Sequence, residues 1–84
     1  MRIHDFARKR PYMFWYVDDF DTLSKEAIVE NTLNYGDFDD FKRLLKILGL
    51  KETASIFRKQ LRSKRHNYRP IIANYFKLYF NKYA

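Results

Sequence analysis

Two histidines and a short run of acids are the residues best suited to catalytic or metal chemistry in this chain. His4 and His66 both stand among basic residues, where nearby cations disfavour the imidazolium and a bound metal ion. Asp18, Asp19 and Asp21 would offer oxygen ligands to a hard cation, but neither the glycine turn nor the final Glu of a calcium loop follows them. There is also no cysteine and no glycine-rich phosphate loop. We therefore expect a protein that is not an enzyme and has no metal or cofactor site.

The distribution of charge is a stronger signal of function. Residues 11–40 carry eight acids and one base, Lys25, whereas no acid follows Glu52. The cations after Glu52 are Arg58, Lys59, Arg62, Lys64, Arg65, Arg69, Lys77 and Lys82. With a net charge of +7, this pattern predicts a protein that binds an anionic or macromolecular partner.

The composition is typical of a small globular domain. A chain of 84 residues buries only about 60 to 65% of its unfolded surface, and its many aromatic residues compensate for the small core. The absence of cysteine favours an intracellular setting. The longest apolar run, Tyr12 to Val17, is far too short to span a bilayer, and residues 1–10 lack the pattern of a secretory signal. We expect a cytoplasmic protein that does not contact membranes.

The spacing of apolar residues predicts four short helices. Ser24 and Asp37 are placed to cap the first two, and Pro70 suits the first position of the fourth. Gly36 is expected to end the first helix in a left-handed conformation, and Gly49 ends the second. The predicted helices span residues 24–35, 38–48, 51–64 and 70–82.

The predicted fold is an all-α, compact bundle of about four short helices. Residues 1–11 are expected to be a basic N-terminal tail, and residues 12–84 a single helical domain. Within that domain, Tyr12 to Val17 is expected to be an extended aromatic segment that packs across the helices.

The helices on either side of Gly49 are compatible with a helix-turn-helix that reads DNA. The third helix and the basic connection after it would contact phosphates, and Tyr68 would stack on a base of DNA or RNA. Leu45 and Ser55 depart from the usual motif, so an ordinary helical hairpin is the alternative. The candidate nucleic-acid-binding residues are Lys51, Ser55, Arg58, Lys59, Arg62, Lys64, Arg65, Tyr68 and Arg69.

Four stretches that together cover most of the chain carry a family resemblance. They are Phe14-Trp15 followed by Asp18; Ile28-Val29-Glu30 leading through Leu33 to Tyr35-Gly36-Asp37-Phe38-Asp39-Asp40-Phe41; Leu44-Leu45 before Gly49; and Asn74-Tyr75-Phe76 with Leu78-Tyr79-Phe80. In these stretches the chain resembles a family of small bacterial domains often encoded beside nucleotidyltransferase toxins of the AbiEii/AbiGii type. Members of this family are interpreted as antitoxins.

The resemblance implies a non-catalytic antitoxin that binds and neutralises a nucleotidyltransferase toxin. An acidic surface would suit the cationic cleft of such an enzyme, with Trp15 as an aromatic anchor. The candidate partner-binding residues are Trp15, Asp18, Asp19, Asp37, Asp39 and Asp40.

Three alternatives stay open at this point. The basic surface of residues 58–69 would instead dock on the enzyme's metal-binding carboxylates, or it would bind DNA or RNA directly. The surplus aromatic residues of the fourth helix would also allow a homo-oligomer.

Overall fold

The computed structural model describes residues 2–63 and 66–84, and these residues form an all-α bundle without strands. The helices are α1 (Ile3–Arg8), α2 (Lys25–Tyr35), α3 (Phe38–Leu48), α4 (Leu50–Arg62) and α5 (Pro70–Tyr83). Two short 3-10 turns, Pro11–Met13 and Phe20–Thr22, lie between α1 and α2. The predicted all-α bundle is confirmed, and its four predicted helices correspond to α2 to α5.

The N-terminal segment differs from the expected basic tail. Residues Ile3–Arg8 form a helix, and Phe6 and Ala7 on that helix are completely buried. The helix packs against α3 and the turn Phe20–Thr22, where Nε2 of His4 lies 2.9 Å from the carbonyl oxygen of Leu23. The sequence does not reveal this helix, because it has only six residues, too few to show a clear apolar stripe, and charged residues surround it. From Ile3 onward this segment is part of the packed domain.

The aromatic segment after α1 packs across the bundle as expected, but it begins as a 3-10 turn instead of an extended strand-like piece. Met13 and Phe14 are buried, whereas Tyr12, Trp15 and Tyr16 are exposed. The turn therefore divides the segment into an anchoring pair and a set of surface rings.

Phenylalanine rings from three helices form the centre of the core. Phe41 of α3 lies 4.9 Å from Phe76 and 6.0 Å from Phe80 of α5, measured between ring centroids. Phe57 of α4 lies 5.4 Å from Phe80. Such ring pairs contribute about 0.5 to 1.5 kcal/mol each beyond the area they bury, which suits a domain with few core residues. Val29 and Leu33 of α2 complete this core.

Helix caps appear where the sequence predicts them. The Ser24 hydroxyl accepts a hydrogen bond of 3.0 Å from the amide of Ala27 at the start of α2. At the start of α3, the Asp37 carboxylate accepts from the Asp40 amide at 2.8 Å, and the Asp40 carboxylate accepts from the Asp37 amide at 3.1 Å. This reciprocal pair is a capping box. Pro70 opens α5 as predicted.

The two glycines are required for different reasons. Gly36 does not adopt the left-handed conformation expected of it, since its φ is −78°. A Cβ at this position would lie 2.7 Å from the Thr32 carbonyl oxygen and 3.0 Å from the Met13 Sδ, so close packing excludes a side chain. Gly49 has φ 91° and ψ 151°, a region open almost only to glycine, and nothing lies near its missing side chain.

Replacement of Gly49 by alanine is expected to lower the free energy of unfolding by about 1 to 3 kcal/mol through backbone strain alone. Chemical denaturation at pH 7 measures this loss. Ser55→Ala, an exposed change within α4, is the control and is expected to shift stability by less than about 0.5 kcal/mol. Equal stability of G49A and S55A would contradict the positive φ at this position.

Candidate functional site

Asp40 is the most constrained acid of the predicted partner-binding set. Its side chain accepts hydrogen bonds from Nε of Arg10 at 2.8 Å and from the Tyr12 hydroxyl at 2.7 Å, in addition to the Asp37 amide. The residue is only 5% exposed. Its carboxylate therefore holds the start of α3 against the N-terminal segment. The assignment of Asp40 to a partner surface is corrected, because no oxygen of this carboxylate is left free.

The protonation states of this network follow from its contacts. Burial by itself raises the pKa of Asp40, but the hydrogen bonds from Tyr12, Arg10 and the Asp37 amide, with the charge of Arg10, outweigh it and leave that pKa below its ordinary value. Burial and the hydrogen bond to Asp40 raise the pKa of Tyr12 to about 12. Near neutral pH the network is a carboxylate that accepts from a phenol and a guanidinium.

The other predicted acids lie on the surface. Asp19 accepts a hydrogen bond of 3.0 Å from the amide of Asp21 in the turn that follows it, and Asp37 caps α3. Asp39 lies 3.8 Å from Lys42 in a loose surface pair. Asp18 is exposed, and its side chain makes no hydrogen bond or ion pair with the residues that the structure describes. Of the five predicted acids, Asp18 and Asp39 are the least committed to the fold.

Three exposed rings meet at the surface, and we call them the Trp15 cluster: Trp15, Tyr16 and Tyr35. Trp15 contacts Tyr35 edge to face with ring centroids 4.9 Å apart, and Tyr16 at 5.7 Å. Trp15 is nevertheless 64% exposed and Tyr35 45% exposed. The sequence identified Trp15, but Tyr35 joins it only because the turn after α1 brings the two segments together.

Buried amides hold the Trp15 cluster in place. The Asn31 side chain donates to the Met13 carbonyl oxygen at 3.1 Å and also to the Tyr16 hydroxyl. The Asn34 side chain donates to the Asn67 carbonyl oxygen at 3.1 Å, which joins the basic connection to α2. Sequence reasoning missed both amides, since nothing in their local spacing distinguishes a buried asparagine from a solvated one.

The basic connection is tied to the fold more closely than its composition suggests. Tyr68 is only 5% exposed, its hydroxyl donates to Gln60, and its ring lies 5.1 Å from Phe57. This burial raises the pKa of Tyr68. The expectation that Tyr68 stacks on a nucleic-acid base is therefore corrected, because its ring is already packed against the core.

Arg69 is also engaged by the fold. Its guanidinium donates to the Asn34 carbonyl oxygen and lies 5.6 Å above the Tyr35 ring. Its side chain thus supports the Trp15 cluster. Lys64 and Arg65, which were predicted to bind nucleic acid, lie outside the described residues.

The predicted nucleic-acid-binding residues of α4 lie on two faces of that helix. Lys51, Ser55 and Lys59 are exposed on the outer face of the helix. Arg58 and Arg62 instead line a groove of about 350 Å³ between α4 and α5. Gly49 alone separates α3 from α4, where a helix-turn-helix has three or four residues. Any contact of α4 with nucleic acid therefore has a different basis from that motif.

A second exposed apolar surface lies along α5. Ile71, Tyr75 and Leu78 lie on one side of that helix, and Phe38 of α3 is exposed as well. Tyr75 and Phe38 border a groove of about 240 Å³ whose wall includes Leu33. Asp37 also lines this groove, and the surface is a second candidate for a binding role.

Within residues 2–63 and 66–84, no three His, Asp or Glu side chains come together as they would around a metal ion. None of the helices in the described ranges has both the length and the apolar character needed to cross a membrane. No protein-family model, curated protein or solved structure matches this sequence.

Replacement of Asp40 by asparagine is expected to lower the free energy of unfolding by about 2 to 4 kcal/mol at pH 7, because Arg10 then lacks its counter-charge. The folded pKa of Asp40 is lowered, so its contribution is present above the ordinary carboxyl pKa of about 3.9 and is lost as the pH falls further. The difference between wild type and D40N should therefore shrink below about pH 4.

Denaturation midpoints at pH 7 and pH 3 check this expectation. Asp21→Asn is the matched control, since it removes an exposed carboxylate that pairs with Arg8 at the surface, and it should change stability little at either pH. A difference between wild type and D40N that is as large at pH 3 as at pH 7 would contradict the stabilising role of the ionised carboxylate.

Proposed function

We propose that this chain is a non-catalytic binding module that docks on a protein partner through the Trp15 cluster. The observation that carries the proposal is the exposure of Trp15 while its ring is held edge to face against Tyr35. Tryptophan and tyrosine are the residues most often found as energetic hot spots of protein interfaces. A rigid cluster of this kind offers a large contact area at a small cost in side-chain entropy.

The support beneath the Trp15 cluster favours binding without rearrangement. Met13 and Phe14 are buried and anchor the segment that precedes Trp15. Asn31 holds Tyr16 through its hydroxyl, and Arg69 covers the Tyr35 ring. Because these contacts order the rings before a partner arrives, less ordering entropy is lost on binding.

Exposed acids that are close in the sequence to the Trp15 cluster favour a basic partner surface, although the Arg69 guanidinium lies over the Tyr35 ring. Asp18 follows Trp15 by three residues and makes no side-chain ion pair in the described part of the chain. Asp19 is also exposed, and Asp37 follows Tyr35 by two residues. These three carboxylates would speed the association of the chain with a cationic partner surface and help to orient the complex.

The partner that the family resemblance implies has such a surface. A nucleotidyltransferase binds nucleotide phosphates in a cationic cleft, and the Trp15 cluster with its carboxylates would cover the entrance to that cleft. The chain would then neutralise the enzyme as an antitoxin in the cytoplasm, by occlusion and without chemistry of its own.

Replacement of Trp15 by alanine is expected to weaken the complex with the proposed nucleotidyltransferase partner by about 30-fold or more, the effect of losing a hot spot worth about 2 kcal/mol. Co-purification of the co-expressed pair, followed by titration of the purified proteins, measures the loss. Because Trp15 is largely exposed, W15A should retain the thermal midpoint of the wild type.

Leu78→Ala is the matched control, since it truncates an equally exposed apolar side chain on α5. It should leave the affinity unchanged. A complex that is weakened by L78A and not by W15A would move the interface to α5, and the absence of any complex on co-expression would overturn the proposed function.

A further inference from the structure

The groove between α4 and α5 has an unusual concentration of positive charge. Arg58 and Arg62 of α4 and Lys77 of α5 line it, and no carboxylate does. Its remaining walls are Phe57, Leu61, Phe80 and Asn81. Glu52 is the one acid of these two helices, and it pairs with Lys25 of α2 instead of a groove residue.

Several basic residues elsewhere in the fold are paired with carboxylates. Arg8, Arg10, Lys25 and Lys42 each lie within ion-pair distance of a carboxylate. Arg62 and Lys77 have no hydrogen bond or ion pair with any residue that the structure describes. These two side chains are therefore available to an anionic ligand.

Arg58 gives the groove a fixed donor. One of its terminal nitrogens donates to the Phe80 carbonyl oxygen at 3.1 Å, near the end of α5. This bond sets the guanidinium plane and leaves the other N–H groups for a ligand. Two oxygens of one phosphate match the fork of an arginine, and the Asn81 amide adds a neutral donor.

The helix ends near the groove oppose anion binding, but only weakly. The carboxyl-terminal ends of α4 and α5 contribute about half a negative charge each. The three positive charges of Arg58, Arg62 and Lys77 exceed the negative charge of the two helix ends by about two. An anion in the groove is thus favoured by the net charge of its walls.

We propose that the groove between α4 and α5 binds the phosphate backbone of a single-stranded nucleic acid. A polynucleotide suits it better than a lone phosphate because Arg58 and Arg62 lie one helical turn apart on α4 and Lys77 lines the groove from α5, so the three cations reach more than one phosphate group. Phe57 and Phe80 are fully buried and offer no ring to a base. The binding is therefore independent of base sequence and distinct from the protein contact assigned to the Trp15 cluster.

Fluorescence anisotropy with a labelled single-stranded oligonucleotide tests the site. Three phosphate contacts predict that the affinity falls by about twentyfold between 50 and 200 mM salt, from a slope of about −0.7 per contact. The double variant Arg62→Gln/Lys77→Gln retains one contact, so its affinity should fall only about threefold over the same range. Circular dichroism checks that this surface variant remains folded.

Arg43→Gln/Lys46→Gln on α3 is the matched control, because it removes the same net charge at exposed positions that lie away from the groove and make no ion pair with the described residues. It should retain the wild-type salt dependence. An equal loss in both double variants would assign the binding to overall charge and overturn the site, as would the absence of binding at 50 mM salt. Full displacement of the oligonucleotide by inorganic phosphate at matched ionic strength would identify a small-anion site and overturn the backbone assignment.

Discussion

The arrangement of the chain depends on the hydrogen bonds and the ion pair that the Asp40 carboxylate makes. It joins Arg10 and Tyr12 from the N-terminal segment to the capping box of α3. With that segment held against α3, Met13 and Phe14 enter the core and the next ring, Trp15, is left outside. One buried acid thus links the packing of residues 2–14 to the position of the ring proposed to bind a partner.

The aromatic residues of this small domain fall into two groups: buried rings that stabilise the core and exposed rings that we propose bind a partner. Phe41, Phe57 and Phe80 are fully buried, because a plain hydrocarbon ring needs no polar partner in the core. Tyr68 is the tyrosine that enters the core, and its hydroxyl is satisfied by Gln60. Trp15 and Tyr35 remain largely exposed at the surface, as is common for the aromatic residues of protein interfaces.

The two proposed binding surfaces lie in the two differently charged parts of the chain. The Trp15 cluster belongs to the acidic first half, and the groove between α4 and α5 belongs to the second, where no acid follows Glu52. Folding sharpens this separation, since Asp40 neutralises Arg10 inside the structure and Arg62 and Lys77 remain uncompensated. A protein partner and a nucleic acid would therefore not compete for the same residues.

The sequence by itself determined α2 to α5, the caps at Ser24 and Asp37 and the asymmetry of charge, because each depends on residues within about four positions of one another or on composition. Tertiary structure decided the burial of Asp40 and Tyr68, the meeting of Trp15 with Tyr35 and the groove that Arg62 shares with Lys77. These contacts join residues that lie far apart along the chain. The spacing of neighbouring residues does not indicate which distant side chain will contact them. The short helix α1 belongs to this second group, since only its packing against α3 shows that Phe6 is part of the core.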